Sequence, residues 1–67
     1  MSDAETLKAE IKKLSARAMQ AKMDLHDLSE ELPLGVENVL DVARRVADSY
    51  AALDARKAEL KALETTS

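Results

Sequence analysis

The sequence predicts an all-α fold, an antiparallel helical hairpin that dimerises into a four-helix bundle. Apolar residues recur at alternating spacings of three and four in both halves of the chain, as in helices that pack side by side. The single proline and single glycine lie between these patterns, which places one bend there. Because 67 residues without cysteine bury little surface alone, we expect a second copy to complete the core.

The first helix is predicted over about residues 3–31. Ser2 and Glu5 have the spacing of a capping box, which satisfies free N–H groups at a helix start. Pro33 and Gly35 end this helix, since proline disfavours a helical residue before it and glycine can adopt a left-handed turn. Its apolar seam is Leu7, Ile11, Leu14, Ala18, Ala21, Leu25, Leu28 and Leu32.

A connection over about 32–38 leads to a second helix over about 39–64, within one domain spanning 1–67. Asn38 is the predicted N-cap, and Asp41 in the first turn interacts favourably with the helix dipole. The second seam is Val39, Val42, Val46, Ser49, Leu53, Arg56, Leu60 and Leu63, with Ala43 and Tyr50 beside it.

Pairing the two seams places Tyr50 against Ala21 and Leu53 against Ala18. The only aromatic ring then meets a small residue, so that the layer fills without overlap. The predicted core and dimer seam consists of Leu7, Ile11, Leu14, Ala18, Ala21, Leu25, Leu28, Val39, Val42, Val46, Tyr50, Leu53, Leu60 and Leu63.

The same pairing predicts two ion pairs between the helices, Asp24 with Arg45 and Asp27 with Arg44. Exposed pairs of this kind contribute only about 0.2–1 kcal/mol each. We therefore expect them to set the register of the hairpin more than its stability.

Two of the three methionines and the only histidine lie close together in the stretch MQAKMDLHDL. Met19, Met23 and His26 share one face of the first helix, outward of the seam, and Glu30 continues that face. Methionines at helical spacing are most often packing residues, here at the rim of a second hairpin. An exposed methionine patch is also an adaptable surface for another protein, which would comprise these four residues.

The third interpretation of this stretch is a metal site, and a transition-metal ion is the only cofactor that the sequence indicates. Thioether and imidazole groups suit copper(I), whereas imidazole with carboxylates suits nickel, zinc or iron(II). The candidate ligands are His26, Met23, Met19 and Asp27, and Glu30 or a second subunit could also contribute. Ligands from one helix cannot complete a tetrahedron, and no H-x-x-x-H or E-x-x-H pair is present.

Composition and charge exclude several other classes of function. His26 and Ser29 lie one turn apart, but no oxyanion loop or glycine-rich turn accompanies them, so we expect no enzyme. The net charge of −3 argues against a nucleic-acid partner. No apolar run approaches the roughly 18 residues of a membrane span. Residues 2–5 are polar and acidic, unlike a signal peptide, so the expected compartment is the cytoplasm.

Several segments resemble a family of small Rop-like proteins. They are LKAEIKKL at 7–14, KMDLHDL at 22–28, ELP at 31–33, ENV at 37–39 and LDARKAELKALE at 53–64. Members are encoded among bacterial nitrogen-fixation genes and are mostly of unassigned function. The resemblance implies a hairpin that dimerises into a four-helix bundle, without catalytic activity, in the cytoplasm near nitrogenase assembly or maturation. One departure is Val36, where an aromatic residue is expected.

Two hypotheses of function follow from the residues and the resemblance together. The first is a non-enzymatic dimeric bundle that binds another nitrogen-fixation protein through Met19, Met23, His26 and Glu30. The second is a small metal-binding or metal-carrying protein of the same pathway that uses His26 and Met23. Regulation of RNA structure is a distant third, because the chain is acidic and the family name reflects fold alone.

Overall fold

The computed structural model of the protein describes residues 3–66 and consists of two long helices. Helix α1 spans Asp3–Glu31 and helix α2 spans Val39–Thr66, with a short 3-10 helix at Val36–Asn38 between them. The two helices pack antiparallel along their length, and the Cα atoms span 51 × 14 × 13 Å. The predicted helical hairpin is thus confirmed, whereas the predicted capping box at Ser2 lies outside the described residues.

The bend between the helices depends on one left-handed residue. Helix α1 ends at Glu31, whose carbonyl accepts a hydrogen bond of 3.0 Å from the backbone N–H of Leu34. Gly35 has φ 77° and ψ 14°, a backbone conformation that residues with a Cβ rarely adopt. Asn38, the predicted N-cap, is instead the last residue of the 3-10 helix, and its N–H donates to the Gly35 carbonyl at 2.9 Å. Helical conformation therefore begins about one turn before the predicted cap.

The core of the single hairpin is thin. Among the side chains that the structure describes, four are buried, namely Leu7, Ala18, Ala21 and Leu53. Most other members of the predicted seam are only half-buried, and they are Ile11, Leu14, Leu25, Leu28, Val39, Val42, Val46, Tyr50 and Leu60. Leu63 is exposed. A large part of the apolar seam therefore remains accessible to solvent in one copy of the chain.

Ala21 lies close to α2 at the position of Ser49, and both residues line a shallow groove with Arg45. Tyr50, the next residue after Ser49, is half-buried and does not line this groove. The predicted contact between Tyr50 and Ala21 stays a prediction, and its test is given below.

Asp24 connects the two helices through one carboxylate oxygen and contacts its own helix through the other. Its Oδ2 lies 3.3 Å from Nη1 of Arg45, which confirms that predicted ion pair, and its Oδ1 accepts a hydrogen bond of 2.9 Å from the Gln20 amide. The predicted pair of Asp27 with Arg44 is wrong within the part of the chain that the structure describes. Asp27 is almost a full turn beyond Asp24 and lies beside His26 instead. Arg44 lies on the outer surface of α2.

Candidate functional site

Three polar side chains from the last turns of α1 converge around one point on its surface. The Nδ1 atom of His26 lies 3.7 Å from Oδ1 of Asp27 and 3.9 Å from Oε1 of Glu30. The helix produces this cluster because residues one turn apart, here His26 and Glu30, are neighbours on its surface. All three side chains are well exposed. The cluster is therefore open to solvent in the folded hairpin.

The chemistry of this cluster fits a divalent transition metal. Each of His26, Asp27 and Glu30 offers one ligand atom, and these atoms all lie within 4.8 Å of one another. Imidazole nitrogen combined with carboxylate oxygen suits zinc, nickel or iron(II). Because the three ligands come from one helix, the remaining coordination positions would be filled by water or by another molecule. The structure thus groups Glu30 with two predicted ligands, His26 and Asp27.

The Ser29 hydroxyl is hydrogen-bonded to the backbone of its own helix. Its Oγ donates a hydrogen bond of 2.7 Å to the backbone carbonyl of His26, as hydroxyl side chains commonly do within helices. A Ser–His pair would need the hydroxyl to donate to the imidazole nitrogen. In this arrangement the Ser29 hydroxyl therefore donates to the backbone and not to the imidazole.

Met19 and Met23 form an exposed apolar surface on α1. They lie one helical turn apart, and 52% and 53% of their respective surfaces are accessible. His26 follows Met23 by three residues, so the same side of the helix continues into the His26 cluster. Within one hairpin, these large flexible side chains contribute little to the core. They are available for packing against a second molecule.

A second group of exposed apolar side chains surrounds the bend, and sequence reasoning did not single it out. Its members are Leu32, Leu34, Val36 and Leu40. Leu40 is the most accessible of them, with 82% of its surface exposed. The signal was present in the spacing, because Leu40 falls outside the seam formed by Val39 and Val42. Val36 replaces the expected aromatic residue and is itself exposed.

The protein is thus a small all-helical hairpin. Its polar cluster around His26 and its exposed apolar side chains lie on the outer surfaces of the two helices. Neither α1 nor α2, within residues 3–66, combines the length and the apolar character needed to cross a membrane. The chain belongs to the Rop-like family, whose family model matches residues 2–65. This confirms the resemblance that the sequence segments indicated.

Two curated proteins are similar to this chain over most of its length. A UPF0437 protein of Azorhizobium caulinodans is 53% identical over 64 residues, which cover 96% of this chain and 93% of the relative. A protein of Frankia alni, named a UPF0437 protein in the nifX-nifW intergenic region, is 51% identical over 49 residues. That match covers 73% of this chain and 60% of the relative. The family thus includes a member located among nitrogen-fixation genes.

A solved structure has the same fold. An NMR structure determined by the Northeast Structural Genomics Consortium matches this chain with a TM-score of 0.89 and 44% sequence identity. The match covers 96% of this chain and 90% of the chain in that structure. The helical hairpin described above is therefore shared with an experimentally determined relative.

Proposed function

We propose that this chain is a non-enzymatic, dimeric helical-bundle protein of the cytoplasm that binds another protein of nitrogen fixation. Its role would be that of an accessory factor in nitrogenase assembly or maturation. The observation that carries this proposal is the exposed Met19–Met23 surface on α1, in a chain whose Frankia alni relative is named for its place between nifX and nifW. The Rop-like family supplies the fold on which that surface is presented.

The accessible surface of the hairpin supports dimerisation into a four-helix bundle. One copy exposes 5239 Å², whereas scaling with mass gives about 4,200 Å² for a compact monomer of 7.3 kDa. The excess is accounted for by an elongated shape with a half-buried apolar seam. A second copy that covers seam residues such as Ile11, Leu25 and Val46 would remove their apolar surface from water. This burial stabilises the dimer by roughly 25 cal/mol for each Å² removed.

The outward position of Met19 and Met23 supports binding of a further protein. Unbranched thioether side chains adapt to partner surfaces of irregular shape, which is why methionine is common at adaptable binding sites. His26 and Glu30 border this surface with groups that can form hydrogen bonds. A partner would thus meet an apolar centre with a polar edge, the usual organisation of protein interfaces.

Affinity capture from nitrogen-fixing cells tests this proposal, with bound proteins identified by mass spectrometry. We expect the wild type and Met23→Leu to capture the same nitrogen-fixation protein, because leucine keeps the apolar volume. Met23→Glu should lose that protein while its dimer remains intact, and Leu40→Glu serves as a control on another exposed apolar position. Equal capture by Met23→Glu and wild type would contradict the proposed surface.

A second candidate function, metal binding or metal carriage in the same pathway, is favoured by the His26–Asp27–Glu30 cluster. Calorimetry with zinc, nickel or iron(II) on tag-free protein should then show stoichiometric binding that weakens on acidification, since protons compete for the ligands. His26→Ala should abolish binding, whereas Asp48→Asn on the outside of α2 should not change it. Met23→Leu should matter only for a soft ion such as copper(I). Heat signals that survive His26→Ala would exclude this site.

A further inference from the structure

A groove with a mainly basic lining runs between the two helices, separate from the methionine surface. One half of it is lined by Glu10, Lys13, Leu14, Arg17, Ala52 and Arg56. The other half is lined by Arg17, Gln20, Ala21, Arg45 and Ser49. Arg17 lines both halves, so the two depressions lie next to each other along the boundary between the helices. Four cationic side chains from two helices thus line these adjacent depressions, together termed the groove, although the whole chain has a net charge of −3.

The four cations differ in how far their charges are already matched. Arg45 pairs with Asp24, and Arg56 lies 3.8 Å from Glu10 and also pairs with Glu59. Lys13 and Arg17 make no ion pair within residues 3–66. Lys13 and Arg17 lie one turn apart on α1, so two unmatched positive charges are adjacent on the wall of the groove.

We propose that this groove binds an acidic segment of a partner protein. Small side chains, Ala21, Ser49 and Ala52, lie along it and let a bound chain approach between the cations. Arg45 and Arg56 are three helical turns apart, about 16 Å at ~1.5 Å per residue. About five residues of extended chain cover that length. Carboxylates on such a segment would pair preferentially with Lys13 and Arg17, because these two charges form no ion pair within residues 3–66.

The same groove is poorly suited to nucleic acid. Glu10, Asp24 and Glu59 lie beside the cations and would repel a backbone that carries a negative charge at every nucleotide. A glutamate-rich segment carries its carboxylates on flexible side chains, which can turn toward Lys13 and Arg17 and away from the acidic groups, whereas phosphates are fixed in the nucleic-acid backbone. Charge complementarity therefore favours an acidic peptide.

Fluorescence polarisation with a labelled hexaglutamate peptide at low ionic strength tests this inference, with hexaglutamine as the uncharged probe. The wild type should bind hexaglutamate, and added salt should weaken that binding. Lys13→Gln combined with Arg17→Gln should weaken it several-fold, at about two- to fivefold for each charge removed. The control is Arg44→Gln, compared with the groove variant per charge removed, because Arg44 is an exposed arginine outside the groove. Circular dichroism should show unchanged helicity in each variant.

Three outcomes would overturn the inference. The first is that the wild type does not bind hexaglutamate. The second is that Arg44→Gln weakens binding as much as the groove variant, which would indicate general charge attraction. The third is groove-dependent binding of a 12-nucleotide single-stranded RNA that is tighter than binding of the peptide. That result would assign the groove to nucleic acid. Met19 and Met23 lie outside the groove. Met23→Glu should therefore change the affinity for hexaglutamate by no more than about twofold, a change that its added negative charge accounts for.

Discussion

The two sides of α1 differ sharply in what they contribute, although the residues that define them are neighbours in sequence. Ala18 is 1% exposed and packs against α2, whereas Met19, the next residue, is 52% exposed. The next turn of the helix repeats this contrast with buried Ala21 and exposed Met23. Small residues thus occupy the side that must approach another helix closely. The two methionines occupy the side that the single hairpin leaves open.

This comparison separates the residues that hold the fold from those available for binding. Changes on the side of α1 that faces α2, or in the α2 residues it contacts, should alter stability. Changes on the outward side should alter binding and leave stability nearly constant. All stabilities are compared at one protein concentration, because the proposed dimerisation would be linked to folding.

The largest effect is expected for Leu53→Ala. Leu53 is buried in α2, and truncation of a buried leucine costs about 2–5 kcal/mol of unfolding free energy. The matched control is Leu40→Ala in the same helix, where the side chain is exposed and the expected change is within about 0.5 kcal/mol. Urea denaturation followed by circular dichroism measures both. Similar losses of unfolding free energy for the two variants would contradict the distinction between residues packed between the helices and residues on the outer surface.

The second effect concerns the predicted layer of Ala21 and Tyr50. Ala21→Leu should overpack the space between the helices and destabilise the protein by roughly 1–3 kcal/mol. Tyr50→Ala should cost about as much or more, because it leaves a cavity. Thermal unfolding of the two single variants and the double variant gives their coupling. A stabilising Ala21→Leu would show that Tyr50 does not face Ala21.

A smaller effect is expected for Asp24→Asn. The change removes the charge that pairs with Arg45 across the hairpin, and an exposed pair contributes about 0.2–1 kcal/mol. The loss should diminish at high salt, which already screens the pair. Asp48→Asn on the outside of α2 is the control, with almost no expected change. Urea denaturation at two salt concentrations measures the difference, and a salt-independent loss would show that charge pairing with Arg45 does not account for it.

The smallest effect is expected for Met19→Glu. The side chain lies on the outward side, so the unfolding free energy should change by no more than about 0.5 kcal/mol. Denaturation in urea provides the measurement. A loss of several kcal/mol, with the dimer also weakened, would favour the alternative that the methionines pack at the rim of the second hairpin.

The sequence predicted the hairpin because its signals are local. Heptad spacing gives the two helices, and Pro33 with Gly35 gives the bend. The pair of Asp24 with Arg45 also followed from spacing, but Asp27 with Arg44 did not form. Pairing the two seams predicts which residues lie at the same height along the hairpin. Whether two of them come into contact also depends on the direction in which each side chain leaves its helix.

The surface features were harder to predict than the hairpin. His26, Asp27 and Glu30 could be grouped from their spacing on one helix. The basic groove could not, because Lys13 and Arg17 belong to α1 while Arg45 and Arg56 belong to α2. Each helix alone presents ordinary surface charges. Only the register between the helices brings them together around small residues.

The central claim is that the seam of one hairpin is completed by a second copy while the outward side of α1 stays free. Sedimentation equilibrium of the wild type and Met23→Glu at micromolar concentration tests both parts in one measurement. We predict the mass of two chains for both proteins, with helical content unchanged between them. A well-folded wild-type monomer would contradict the shared seam. A dimeric wild type with a monomeric Met23→Glu would place the methionine surface inside the dimer and contradict its role as a free binding surface.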